Sequence, residues 1–123
     1  MQRVLIVDDE RLVADTLALV FEKRGFVAQA TYSADQAMQI AREFKPHLLL
    51  CDITMPNKNG LALVNEFHRE LPKCRILVLT GFRSNLNAVR EEAARLSLSI
   101  GLLTKPCQPE ELLREAAALL ASA

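Results

Sequence analysis

The sequence predicts an α/β protein built on a doubly wound, five-stranded parallel sheet with five helices on both faces. Five short apolar runs alternate with five segments of helical periodicity, and strand-then-helix alternation gives a parallel sheet with right-handed crossovers. The runs are β-branched or leucine-rich with little polar alternation, as strands covered on both faces are. The 123 residues suit one domain, 1–123, and half of them are hydrophobic, enough to bury a core.

Val4-Leu5-Ile6-Val7 is the first strand, ending on Asp8-Asp9-Glu10. Leu12, Val13, Thr16, Leu17, Val20 and Phe21 then recur at helical spacing, and Gly25 stops that helix. Val27 to Thr31 reads as the second strand. Ser33 with Gln36 forms a capping box, and the second helix runs through Ala37, Ile40 and Ala41 to end before Pro46. His47 to Cys51 is the third strand, with Asp52 at its carboxyl end and turn formers from Thr54 to Gly60 beyond.

Leu61, Val64, Phe67 and Leu71 make the stripe of a third helix, closed by Pro72. Arg75 to Leu79 is the fourth strand, ending at Thr80-Gly81. Leu86, Val89, Ala93 and Leu96 give the stripe of a fourth helix. Gly101 to Thr104 is a short fifth strand, followed by Lys105-Pro106. Pro109 sits at the first position of the last helix, and Glu110 and Glu111 suit the positive end of its dipole. Leu112, Leu113, Ala116, Leu119 and Leu120 carry its apolar face.

Composition narrows the function. Lys+Arg and Asp+Glu both total 15, so the chain lacks the basic footprint of a nucleic-acid binder. No apolar run approaches the roughly 20 residues that span a bilayer. Met1-Gln2-Arg3 leads straight into a strand, so no signal peptide is expected. Cys51, Cys74 and Cys107 are odd in number and scattered, which suits reduced thiols in the cytoplasm. His47 and His68 lie far apart, so zinc is disfavoured.

The strand ends carry the chemistry. Asp8 and Asp9, Asp52, Thr80 and Lys105 end four different strands, and a parallel sheet gathers such ends at one crevice. Taken singly, each has a bland explanation: a helix cap for Asp8 or Asp9, a strand-end threonine, a solvated lysine. Together they make a coherent set. Two like charges about 4 Å apart repel by roughly 4 kcal/mol at an effective dielectric near 20, so three carboxylates need a cation. Lys105 is one candidate and Mg2+, a hard ion suited to carboxylates, carbonyls and waters, is the other. A carboxylate, Mg2+, a lysine and a threonine match phosphoryl transfer, with Asp52 as nucleophile.

These pieces resemble the receiver domain of two-component response regulators. The matching segments are Val4-Leu5-Ile6-Val7-Asp8-Asp9-Glu10, Asp52 with Met55-Pro56 and Gly60, Leu79-Thr80-Gly81 and Leu103-Thr104-Lys105-Pro106. The resemblance implies a flavodoxin-like fold with strand order 2-1-3-4-5. It implies that Asp52 takes a phosphoryl group from a phosphohistidine on a sensor histidine kinase or histidine phosphotransfer protein. Asp9, Asp52 and the Thr54 backbone carbonyl would ligate Mg2+, with Asp8 acting through water. Thr80 and Lys105 would bind phosphoryl oxygens, and Lys105-Pro106 would be a cis peptide.

The implied protein is a signalling switch that catalyses its own phosphorylation and dephosphorylation, not an enzyme acting on another substrate. Phosphorylation would shift the surface made by helix four, strand five and helix five, which is also where a homodimer would form. No direct nucleic-acid or membrane contact is implied. Both a free-standing regulator and the receiver of a longer regulator or hybrid kinase are compatible with the sequence. Three departures from the family pattern stand out. Leu102 occupies the switch position where the family usually has an aromatic. Leu98-Ser99 replaces the usual Gly-Ala after helix four. Phe82 lies two residues beyond Thr80, where, with Thr54, it would set the phosphoryl lifetime. Two other functions compete: a small Mg2+-dependent phosphohydrolase, and a non-phosphorylated interaction module of the same fold.

Overall fold

In a computed structural model of the chain, described at residues 2–53, 60–81, 87, 90, 91, 93–95, 100–105 and 107–121, the five apolar runs pair side by side. They are β1 (Arg3–Val7), β2 (Val27–Thr31), β3 (Leu48–Asp52), β4 (Arg75–Thr80) and β5 (Gly101–Thr104), in the order β2-β1-β3-β4-β5, all parallel. The helices are α1 (Arg11–Glu22), α2 (Ala34–Phe44), α3 (Gly60–Glu70), α4 and α5 (Pro109–Ala121). In α4 the described helical residues are Asn87, Arg90, Glu91, Ala93, Ala94 and Arg95. The predicted architecture and strand order hold.

Strand alternation divides the core in two. Val4, Ile6, Leu48, Leu50, Leu77 and Leu79 face α1 and α5, packing with Ala14, Ala18, Phe21, Leu112 and Ala116. Leu5, Val7, Leu49, Cys51, Ile76 and Val78 face the other way, onto Ala37, Met38 and Ala41 of α2 and Leu63, Val64 and Phe67 of α3. Both sets are buried, which explains the absence of polar alternation in the central strands.

Two helix faces differ from the sequence expectation. On α1 the contact strip is Ala14, Ala18 and Phe21, with Leu17 beside it, whereas Leu12 is 80% exposed and Thr16 also faces solvent. Leu12 lies two residues before Ala14, about 200° round the helix, and small alanines let the helix sit close to the sheet. On α3 the buried strip includes Leu63 as well as Val64 and Phe67.

The caps also differ in detail. Ser33 Oγ accepts from the Gln36 N–H at 3.1 Å, but the returning Gln36 side chain accepts from Tyr32 N–H, not from Ser33. The residue before α1 is Glu10, which makes no side-chain cap bond, so neither Asp8 nor Asp9 occupies the cap position. Gly25 has φ +91° and follows the cap residue Lys23 by two positions. Leu86, Val89, Leu96, Leu98 and Ser99 lie outside the described residues.

Gly101 is required by packing. A Cβ there would stand 2.7 Å from Leu119 Cδ1 of α5 and 2.9 Å from Leu77 Cδ1.

Candidate functional site

Parallel register brings the strand-end groups together. Val7 pairs with Cys51, so Asp8 and Asp52, the next residue on each strand, lie side by side. Asp52 pairs with Leu79 and Leu79 with Leu103, so Lys105, two residues after Leu103, shares their pleat face. Thr80 pairs with Thr104 on the opposite face, the one that also carries Val78 and Leu102.

The side chains follow that geometry. Lys105 Nζ donates to Asp8 Oδ2 at 3.0 Å and to Asp52 Oδ2 at 3.1 Å. Asp8 and Asp52 are buried, while Asp9 is exposed at the rim. A carboxylate oxygen from each of Asp8, Asp9 and Asp52 lies within 4.8 Å of the others. Thr80 is fully buried, and its carbonyl accepts the Lys105 backbone N–H at 2.7 Å, which ties the lysine to the end of β4.

Asp8 is held on every side. Its N–H donates to the Thr31 carbonyl at 3.1 Å, and its Oδ1 accepts the Glu10 N–H at 3.0 Å. Thr31 in turn donates its hydroxyl to the Ile6 carbonyl at 2.6 Å in a fully buried position.

Electrostatics follow from burial and proximity. Burial, the largest single influence, favours neutral Lys105; hydrogen bonds and charges from Asp8 and Asp52 together outweigh it and raise its pKa. The ammonium therefore stays charged between the carboxylates. Cys51 lies beside them, but burial above all, then Asp52 and Asp8, pushes its thiol pKa up, so it remains a neutral donor to the Asp52 carbonyl.

The donor set suits a hard cation. All three groups are carboxylates, with neither imidazole nor thiolate in the cluster. Mg2+ is a hard ion that takes carboxylate, carbonyl and water oxygens, and these three carboxylates are the groups that would hold it. Three acids against one lysine leave a negative excess that a divalent ion would neutralise.

Asp8, Asp9, Asp52 and Lys105 thus come together as the sequence predicts, with Thr80 bonded to Lys105 through the backbone. Thr54, Phe82 and the Lys105-Pro106 peptide lie outside the described residues. Sequence reasoning missed the support given by Thr31 and a rim cluster in which Arg11 lies 4.1 Å over the Tyr32 ring. The Tyr32 hydroxyl donates to Asp15 at 2.6 Å, which joins the end of β2 to α1. An Arg and an Asp four residues apart beside a strand-end tyrosine were the available signals.

Known proteins resemble this chain in sequence and fold. Residues 4–117 match the family model described as the response regulator receiver domain. The aerobic respiration control protein ArcA of Escherichia coli is 37% identical over 121 residues, covering 95% of this chain and 48% of the relative. The photosynthetic apparatus regulatory protein RegA of Cereibacter sphaeroides is 35% identical over 109 residues, covering 89% of this chain and 58% of the relative. The chain therefore spans about half the length of these curated relatives. Among solved structures, a CheY-like receiver domain protein from Methanospirillum hungatei superimposes with a TM-score of 0.87 at 25% identity, covering 98% of this chain and 94% of that one. A response regulator from Chloroflexus aurantiacus gives 0.85 at 30% identity, covering 98% of each chain.

Proposed function

The chain belongs to the response regulator receiver domain family, and from that premise we propose that Asp52 is its phosphoacceptor. The observation that carries the reading is the Lys105 ammonium held between Asp8 and Asp52 at 3.0 and 3.1 Å, in a nest of three acids drawn from two strand ends.

An Asp52 oxygen attacks the phosphorus of a phosphoimidazole on a sensor histidine kinase or phosphotransfer protein. A P–O bond forms, the P–N bond breaks, and the imidazole leaves with the bonding pair. Lys105 transfers its hydrogen bonds from carboxylate to phosphoryl oxygen, and the Thr80 hydroxyl donates to another. Asp9, Asp52 and the Thr54 carbonyl would hold Mg2+, with Asp8 acting through water. When bound, the ion would neutralise charge on the phosphoryl oxygens. Water then attacks the phosphorus, the P–O bond to Asp52 breaks, and inorganic phosphate leaves with the carboxylate restored, so the domain catalyses both its own phosphorylation and its own dephosphorylation.

The proposed output is the α4–β5–α5 surface, with a homodimer through the same face. Thr80 and Leu102 share a pleat face across the β4–β5 pair, and the Lys105 N–H joins the two strands at the site. Leu102 also lines a depression of about 500 Å³ with Arg90, Ala94 and Glu115, so movement at Thr80 has a short route to that surface. Leucine carries no hydroxyl, so in this chain the switch at Leu102 works through packing alone. Direct contact with nucleic acid or membrane forms no part of the reading. Among the described residues no helix is long and apolar enough to cross a membrane, and the proposed location is the cytoplasm, where a kinase donor is found.

Acetyl phosphate with Mg2+ tests the function by intact mass. One added phosphoryl group is expected on the parent and none on Asp52→Asn or without Mg2+. An unmodified parent would favour the inert interaction module, and steady turnover of small phosphate esters would favour the phosphohydrolase. Phe82→Ala tests the lifetime role: phosphoryl loss should quicken, and an unchanged rate removes Phe82 from the account.

A further inference from the structure

At the opposite end of β3 and β4 from Asp52, the α2–β3 and α3–β4 connections line an open depression of about 450 Å³. That volume lies inside the usual range of small-ligand sites. Its walls divide by chemistry. Pro46, Leu71, Pro72 and Cys74 supply an apolar surface. Burial above all pushes the Cys74 thiol up to about 12, and its Sγ donates to the Arg75 carbonyl at 3.4 Å, so this wall is neutral.

The polar wall is mostly donors, His47, Lys45, Lys73 and Arg42, with Glu70 the one acid. His47 Nδ1 accepts the Arg3 backbone N–H at 2.9 Å, which places the ring proton on Nε2. Burial first, then the Arg3 charge, holds that imidazole below its usual pKa and keeps it neutral. Lys45 and Lys73 also line the depression, and neither makes an ion pair with a described residue. Arg42 and Glu70 meet across the rim at 3.6 Å, joining α2 to α3.

Two helix carboxyl ends point toward this region, and their dipoles alone would repel an anion. The α2 end is already answered, however. Arg3 Nε donates to the Phe44 carbonyl at 2.8 Å and to the Lys45 carbonyl at 3.0 Å. The Lys45 ammonium is therefore not needed as a cap there. Two lysines and Arg42 against Glu70 leave positive charge beside an apolar wall.

We propose that this depression binds a small amphipathic monocarboxylate, its apolar body against Pro46, Leu71 and Cys74 and its carboxylate toward Lys45, Lys73 and the His47 Nε2–H. The site lies about 16 Å from Asp52, five strand residues away along β3, and is chemically separate from the phosphoacceptor.

Titration of the 15N-labelled protein with 2-naphthoate, followed by amide shifts, tests the proposal. Saturable shifts are expected at Lys45, His47, Lys73 and Cys74, with Asp8 and Asp52 unmoved. The neutral 2-naphthamide should bind at least about tenfold more weakly, the worth of one charge-assisted hydrogen bond. The exposed pair Lys45→Glu with Lys73→Glu should weaken naphthoate by at least that factor while leaving the rest of the spectrum in place. Absence of saturable shifts at these lining residues, equal binding of acid and amide, or indifference to the charge reversal would each overturn it.

Discussion

At the amino end of β1, Arg3 turns its polar atoms into the fold: its N–H reaches His47, its carbonyl accepts the His47 N–H, and its guanidinium donates to the Phe44 and Lys45 carbonyls at the end of α2. At the carboxyl end of the same strand, Asp8 sits in a group of three acids, two of which, Asp8 and Asp52, share one lysine. The first arrangement binds secondary structure together and places its one guanidinium on neutral carbonyls, with no like charges held against each other. The second holds like charges in contact and retains a negative excess. The contrast is electrostatic: the sheet core and its amino end keep the carboxyl end in an unfavourable arrangement of like charges that a cation can relieve.

The largest way to break that contrast is Lys105→Ala. It leaves two buried carboxylates without their cation, and unfolding in urea without Mg2+ should show a loss of about 2–3 kcal/mol. Fully buried pairs lose more, but Lys105 is 28% exposed. Added Mg2+ should recover part of the loss; equal stability with and without lysine would mean the acids do not oppose each other.

Gly101→Ala tests packing instead of charge. Its Cβ would press on the side-chain ends of buried Leu77 and half-buried Leu119, so a loss of about 1–3 kcal/mol is expected, insensitive to Mg2+ and salt. A salt-dependent loss would contradict that assignment.

Asp9→Asn has the opposite sign. Removing one exposed like charge should raise stability in Mg2+-free buffer by up to about 1 kcal/mol, and salt should shrink the gain. In the same protein, the stabilisation by added Mg2+ should weaken.

The amino end sharpens the contrast through pH. His47 has a folded pKa below 6.5, chiefly from burial, so the unfolded chain takes up its proton first. Its stabilising contribution is complete above about 6.5 and falls as the pH drops from there through the folded pKa. Urea midpoints between neutral and mildly acidic pH should therefore fall less steeply in His47→Gln than in the parent; parallel curves would remove His47 from the account.

Much of this was visible in the residues. Five apolar runs, each ending on a turn former or polar group, marked the strands, and the parallel sheet followed from their alternation with helices. Asp8, Asp52 and Lys105 could be grouped before any coordinates because strand-end position in a parallel sheet is read directly from chain order. The face of α1 was not readable. Leu12 and Leu17 are the larger apolar groups, but close packing selected Ala14 and Ala18. Thr31 and His47 were hidden for another reason. Their partners, the Ile6 carbonyl and the Arg3 N–H, are far away in sequence and become neighbours only through the register of β1 with β2 and β3.

Borohydride trapping provides the most direct measurement of the central claim. The protein is treated with acetyl phosphate and Mg2+, reduced, digested and mapped by mass, since reduction of an aspartyl phosphate leaves homoserine. Homoserine at position 52, absent without phosphodonor, is the predicted result. Conversion at Asp8 or Asp9 instead, or at none of the three while the protein carries a phosphoryl group, would contradict the account.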